Sequence, residues 1–197
     1  MKTFQSWVSS TRVLAASAAL AGLMSASVTA TAAPVLGGQL FWNGGDVTIT
    51  AQFASAGFLS ELQLYSATPA IFVLWNAPNG NPVGTSMTLT AAQIDVDHNI
   101  GDELIFGIRV TNTNQPFRMG PGSRNPDGLI HATVDNLGGG LLRVGFEDLL
   151  GGGDRDYNDN VFHFQGSVSS NVPEPSTLAL VGLAMLGAGL RRRKTTH

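Results

Sequence analysis

Apolar and polar residues alternate along short segments in the middle of the chain. In DVTITAQF, four apolar residues fall on one face: Val47, Ile49, Ala51 and Phe53. A period of two residues is typical of a β-strand with one buried face. FLSELQLY follows the same pattern through Leu62 and Leu64. Both segments therefore predict half-buried strands.

Other segments extend this pattern into a whole domain. The continuous apolar run IFVLW, from Ile71 to Trp75, predicts a central strand. Further strands are predicted in ELIFGIRVTNT, LIHATV, LLRVGFE and NVFHF, and TAAQ at Thr90 predicts a single helical turn. Eight or nine short strands, separated by Gly, Asn and Pro, predict an all-β domain over residues 33–166. The expected architecture is a jelly-roll-like β-sandwich, followed by a polar linker at residues 167–172.

The N-terminal segment has the order of a secretory signal peptide. Lys2 and Arg12 precede an Ala-rich apolar run, and the small residues ATA follow it. A basic region, an apolar region and a small-residue cleavage site predict export, with cleavage after Ala32. Residues 1–32 are therefore assigned to a signal peptide.

The C-terminal segment predicts a short membrane helix. Residues 176–190 carry no charge, and Arg191, Arg192, Arg193 and Lys194 follow at once. As a helix of about 1.5 Å per residue, this stretch reaches about 22 Å, short of a hydrocarbon core of about 30 Å. Flanking residues and local thinning of the bilayer can make up the difference. The basic cluster places that end in the cytoplasm, with the preceding chain across the inner membrane.

Charge is divided unevenly between the ends and the domain. The domain keeps five arginines against 13 acidic residues, a formal charge of −8. Such a surface disfavours nucleic acid and anionic lipid as partners and favours cations. The chain has no cysteine, so an exported domain must be held by packing, or by packing and metal.

The acidic residues concentrate in GFEDLLGGGDRDYNDNVFHF, between two predicted strands. A loop from about Asp148 to Asn160, here called the acidic loop, joins these strands, and Arg155 is the only cation in it. The spacing of Asp154, Asp156 and Asn158 turns alternate oxygens towards one centre, and calcium takes six to eight oxygen ligands. The sequence predicts a calcium site with six candidate ligands: Glu147, Asp148, Asp154, Asp156, Asn158 and Asp159.

Other interpretations of the acidic residues stay open. The loop begins like an EF-hand, but Asp159 and Gln165 occupy the positions that need Gly and Glu. A solvated loop capped by its own side chains would explain the same residues without an ion. Paired carboxylates also occur in glycosidases, although no nucleophile and base can be distinguished here.

Weaker candidates lie outside the loop. Asp95, Asp97 and Asn99 repeat the alternate spacing but favour a turn, and Asp127, in the turn sequence NPDG, ranks below the main loop as a ligand. Two further alternatives involve aromatic and imidazole side chains: zinc at His131 and His163, and sugar stacking on Trp42 and Trp75.

The C-terminal segment resembles a PEP-CTERM sorting signal. Pro173, Glu174 and Pro175 precede the apolar helix, and the basic cluster of Arg191, Arg192 and Arg193 follows, so residues 173–197 carry the whole pattern. The resemblance implies export, recognition by a membrane exosortase, and release or attachment at the cell surface. Such tails occur on proteins of Gram-negative bacteria that make extracellular polysaccharide.

Residues 101–164 resemble the bacterial domain of unknown function 4114. The resemblance is carried by GDELIFGIRV, GPGSRNPDGLIHA and GFEDLLGGGDRDYNDNVF. It leaves both calcium-binding and enzymatic roles open. Taken together, the sequence predicts a non-enzymatic, surface-sorted protein of the matrix or envelope that binds calcium. The alternative is a domain that binds or acts on carbohydrate, such as extracellular polysaccharide, through the same loop.

Overall fold

The structure is a computed structural model, and it describes residues 33–53, 55–75 and 82–171. These residues form strands with almost no helix, which confirms the all-β class. The strands are β1 (Val35–Leu36), β2 (Leu40–Ala51), β3 (Ser60–Leu64), β4 (Ile71–Trp75), β5 (Ser86–Leu89), β6 (Phe106–Val110), β7 (Gln115–Arg118), β8 (Ala132–Gly138), β9 (Leu141–Phe146) and β10 (Asn160–Ser170).

The strands form two antiparallel sheets that share one apolar core. One sheet has six strands in the order β1-β8-β9-β10-β2-β5, and the other has four in the order β4-β3-β6-β7. Phe106 of the smaller sheet meets Phe164 of the larger one edge to face, with ring centroids 4.7 Å apart. The inward residues of both sheets belong to the same buried cluster. Burial of this apolar surface is the main stabilising contribution to such a fold.

Strand β2 follows the predicted alternation up to its end. Val47, Ile49 and Ala51 are buried, and Thr48 and Thr50 bond to Thr88 and Ser86 of β5 on the other face. Phe53, predicted on the apolar face, lies beyond the strand and is 63% exposed. The alternation therefore identifies the buried face but overruns the end of the strand.

Two predictions about individual segments are wrong. β4 is an edge strand rather than a central one, and its Phe72 is 42% exposed, so an apolar run does not require burial on both faces. The predicted linker at 167–172 is strand up to Ser170, because the backbone of β10 continues to pair with Leu40 to Trp42. Val168 keeps the inward phase of Phe162 and Phe164 across the register shift between Gly166 and Val168, and it lies in the core, where it is 5% exposed.

The described residues contain only short helical segments. α1 (Ala91–Ile94) is the predicted turn, and Thr90 and Gln93 close a capping box at its start; a 3₁₀ turn occupies Gly122–Arg124. In the described part of the chain, no helix is long and apolar enough to cross a membrane. The predicted signal peptide and the predicted helix at 176–190 lie outside the described residues.

Candidate functional site

The acidic loop connects two neighbouring strands at one end of the larger sheet. β9 ends at Phe146 and β10 begins at Asn160, and these two residues are paired in register. The predicted adjacency of the two strands is confirmed. The acidic loop therefore occupies residues 147–159 and has fixed strands on both sides.

The loop folds back over the outer face of the larger sheet. Val144 and Phe146 point into the core, so the intervening Gly145 faces outwards. The carbonyl oxygen of Tyr157 lies where a side chain on Gly145 would begin, and Thr133 Oγ1 is close by. Only glycine leaves room for this approach. Glu147, two residues further on, continues on the same face and is covered by the loop.

The middle of the loop alternates in backbone conformation. Arg155 and Tyr157 have φ values of 64° and 55°, in the left-handed region that few non-glycine residues adopt. Asp154 accepts from the amide of Asp156 at 3.4 Å, and Asp156 accepts from that of Asn158 at 3.1 Å. The carboxylates of Asp154 and Asp156 are thereby brought close to the carboxylate of Glu147.

Three carboxylates converge in this loop. Glu147, Asp154 and Asp156 each offer one oxygen, and these oxygens all lie within 4.8 Å of one another. Glu147 is fully buried, whereas the two aspartates are exposed. Glu147 Oε1 accepts from the amide of Tyr157 at 2.6 Å, but Oε2 is buried without a hydrogen-bond partner among the described residues. This group could hold a metal ion.

The electrostatics of the group are unfavourable without a cation. Burial raises the pKa of Glu147, and the charges of Asp159, Asp154 and Asp156 raise it further, although the Tyr157 amide opposes the shift. Arg155, the only cation in the sequence of the loop, forms no salt bridge with any described residue. Among the described residues, no cation forms a salt bridge with these three carboxylates.

The other three predicted ligands do not join this group. Asp148 lies beside Asp159, whose Oδ2 accepts from the Asp148 amide at 3.0 Å. Burial, together with the charges of Asp159 and Glu147, raises the pKa of Asp148 to about 7. Asn158 donates from its side-chain amide nitrogen to Asp156. The six predicted residues thus divide into two neighbouring clusters and one supporting amide.

Asp127 acts as an anchor of the loop. Its Oδ2 accepts from the amide of Gly151 at 2.8 Å and contacts His131 Nε2 at 2.9 Å, while Oδ1 accepts from the Leu129 amide at 3.1 Å. Burial opposes ionisation, but the Gly151 amide, His131 and the Leu129 amide hold the pKa of Asp127 at about 2. With its oxygens occupied, Asp127 fixes the loop rather than serving as a ligand.

His131 serves the same anchoring purpose and not a zinc site. It is fully buried, stacks on Phe117 at 4.1 Å between centroids, and contacts the carbonyl of Glu147 through Nδ1 at 3.1 Å. The potential metal group in the described residues contains neither His131 nor His163. Zinc at these histidines is therefore not supported.

The remaining sequence candidates have structural roles. Asp97 accepts from the Thr68 amide at 2.9 Å, and Asp95 caps α1, in keeping with the favoured turn. Asn99 belongs to the same turn, where its amide donates to Asp102 at 2.7 Å. Trp42 is 2% exposed and donates to the Gly45 carbonyl at 2.7 Å, so it packs in the core and does not stack on sugars. The side chain of Trp75 lies outside the described part of the structure.

Two residues of the site escaped the sequence analysis. Asn160 is fully buried at the first position of β10, and Gly145 admits the loop over the sheet. The alternation of NVFHF carried a signal for Asn160, because it places Asn160 on the same face as Phe162 and Phe164. A polar residue on an apolar face needs a partner.

Fold and site together define an all-β protein of two antiparallel sheets with an acidic loop at one end. A family model described as Domain of unknown function (DUF4114) matches residues 55–167, more than half of the chain, and the chain belongs to this family. The resemblance predicted for residues 101–164 is confirmed and begins earlier, at residue 55. The match contains the whole acidic loop.

A second family model, the PEP-CTERM protein-sorting motif, matches residues 171–194. The motif implies an exported protein that is sorted in transit through the membrane and recognised by an exosortase-type enzyme. No curated protein and no solved structure matches the chain.

Proposed function

We propose that this protein is an exosortase-sorted, non-enzymatic component of the cell surface or extracellular matrix whose acidic loop binds calcium. A jelly-roll-like sandwich supplies the rigid scaffold, and the loop supplies the site. A signal peptide over residues 1–32 and a transient inner-membrane helix over residues 176–190 are part of this proposal. Extracellular polysaccharide is the candidate partner.

One observation carries the calcium proposal. Glu147 is fully buried, and its Oε2 lies against Gly153 with no hydrogen-bond partner in the described residues. A buried carboxylate oxygen without a partner is costly, and two further carboxylates point at it. A bound cation would supply the missing partner and offset the repulsion at the same time.

Calcium fits this group better than magnesium does. Calcium accepts six to eight oxygens in a flexible arrangement, whereas magnesium demands octahedral geometry and keeps its waters. Asp154 and Asp156 are exposed on the loop, which leaves room for water and backbone carbonyls to complete the larger shell. The surface of the exported protein also meets calcium directly.

Thermal unfolding of the purified protein in chelator, calcium and magnesium tests this proposal. Calcium at one hundred times its dissociation constant should add about 2.7 kcal/mol to the free energy of unfolding, and magnesium should add less. Asp154→Ala and Asp156→Ala should each remove most of the calcium effect. Asp95→Ala, at another exposed acidic position, should leave it unchanged. An equal melting temperature in all three solutions would show that the loop is only solvated.

A carbohydrate-acting domain is the second candidate. The pKa of about 7 for Asp148, next to other carboxyls, is a property of general acids. However, Asp148 is 4% exposed, which keeps it from a glycosidic bond. We therefore expect no hydrolysis above background on a panel of polysaccharides, measured as released reducing ends. Turnover that Glu147→Gln abolishes would favour the enzymatic alternative.

A further inference from the structure

A second group of buried polar atoms lies beside the Glu147 group. Asp148 is 4% exposed, and its Oδ2 has no hydrogen-bond partner in the described part of the chain. Asn160 is 0% exposed, and neither its Oδ1 nor its Nδ2 has such a partner. Few buried polar atoms in native proteins remain unpaired, because each has given up its bonds to water. These atoms therefore point to a missing ligand.

The second group is on the opposite side of the strand end from the first. Asn160 pairs with Phe146 and shares the core-facing side of β10 with Phe162 and Phe164. Glu147 faces outwards, beneath the loop. The two groups are close neighbours, because the charge of Asp159 also acts on Glu147.

Three side chains make up the second group. Asn160 directly follows Asp159 and pairs with Phe146, two residues before Asp148, so all three residues lie at the same end of β9 and β10. Asp159 also accepts from the Asp148 amide, at 3.0 Å, which holds the two aspartates side by side. The group thus combines two carboxylates and one amide, an oxygen-rich set of the kind that calcium prefers.

We propose that Asp148, Asp159 and Asn160 form a second calcium site, distinct from the site at Glu147, Asp154 and Asp156. This inference rests on the proposed calcium function and extends it to two ions per chain. Water alone would give the buried atoms partners but would not offset the repulsion between two carboxylates. A divalent cation does both.

The number of calcium ions bound per chain tests this site directly. Equilibrium dialysis of the purified full-length protein should give about two ions for the unmodified chain. Asp148→Asn and Asp154→Asn should each reduce the number to about one, and the double variant should bind none. Asp148→Asn preserves the shape of the side chain, so the loss reflects its charge.

A second variant keeps the test independent of the folding of Asp148→Asn. Asn160→Asp adds a carboxylate to the same group. It should lower the melting temperature in chelator, because repulsion increases, and enlarge the rise on adding calcium. A calcium response of Asn160→Asp equal to that of the unmodified chain would overturn the second site.

The outcomes separate this inference from the function on which it rests. One ion in the unmodified chain, lost in Asp154→Asn but kept in Asp148→Asn, overturns the second site and leaves the proposed function standing. One ion lost only in Asp148→Asn supports the second site and overturns the first. Loss of both ions through Asp148→Asn would show that the two groups bind calcium as one unit rather than as distinct sites, and would overturn the inference. No bound calcium at all would overturn both proposals.

Discussion

At the scale of single residues, the acidic loop is governed by two neighbouring carboxyls. Burial and nearby negative charge raise the pKa of both Glu147 and Asp148, and that of Asp148 reaches about 7. Asp127 lies outside the loop and accepts from three donors, and its pKa is shifted the other way, to about 2. Hydrogen-bond donors therefore decide which carboxyl stays ionised, since all three are shielded from water.

These pKa shifts predict how pH affects the metal-free protein. Asp148 titrates near pH 4 in an unfolded chain, so between about pH 4 and about pH 7 the folded state binds more protons. The free energy of unfolding then falls as pH rises through this window. In chelator, the melting temperature should be lower at about pH 8 than at about pH 5. Asp127 does not contribute here, because its stabilisation is lost only as pH falls towards its folded pKa of about 2.

The control for this prediction is Asp148→Asn, which should flatten the dependence on pH. Saturating calcium should reduce the loss of stability at high pH in the unmodified chain, because the ion replaces the proton as the partner of these carboxyls. A melting temperature in chelator that rises from about pH 5 to about pH 8 would contradict the raised pKa of Asp148.

At the scale of elements, the site depends on how the loop lies on the sheet. The Tyr157 backbone covers Gly145, and the Tyr157 amide donates to Glu147 at 2.6 Å. The same tyrosine thus joins the loop to the outer face of β9 and to the buried carboxylate. Asp127 secures the other half through Gly151. The loop is fixed at both halves before any ion is bound.

Gly145→Ala should disturb this arrangement without touching a ligand. The added methyl group would meet the Tyr157 carbonyl, a backbone atom that cannot rotate away. We expect the free energy of unfolding to fall by about 1–3 kcal/mol, as for other overpacked sites, and calcium to bind more weakly. Denaturant unfolding and calcium titration measure the two effects.

Gly57→Ala is the matched control for Gly145→Ala. A methyl group on Gly57 would meet no atom within 4 Å, so its effect should stay within about 0.5 kcal/mol. Equal, small effects of the two substitutions would mean that the loop does not rest on Gly145.

The sequence predicted much of this element and failed at definable points. The alternation predicted LLRVGFE and NVFHF as neighbouring strands, because apolar residues recur at every second position in both segments. The concentration and spacing of acidic residues identified all three carboxylates of the Glu147 group. The sequence did not separate Asp148 from Glu147, since the phase of alternation beyond a strand end depends on how the loop turns. The sequence analysis was also wrong about the position of β4 in its sheet and about the end of β10. Neither the edge position of a strand nor the extent of its backbone pairing can be read from amino-acid composition.

At the scale of the whole molecule, charge and sorting are divided along the chain. The residues between the predicted signal peptide and the sorting motif carry 13 acidic side chains against five arginines. The sorting motif at residues 171–194 contains the basic cluster. A negatively charged domain that leaves the cytoplasm meets divalent cations outside, whereas the basic cluster is suited to the cytoplasmic side of the membrane.

Sorting itself should depend on Glu174, which stands between two prolines just before the apolar segment. As an expectation from the sequence alone, the two prolines favour an extended backbone around Glu174, which an enzyme can recognise. We expect Glu174→Ala to leave full-length protein in the inner membrane. Cell fractionation and the intact mass of the exported form measure this. Asp95→Ala, an exposed acidic position on the folded domain, should be processed normally. If Glu174→Ala is also exported and processed like the unmodified chain, Glu174 has no part in recognition.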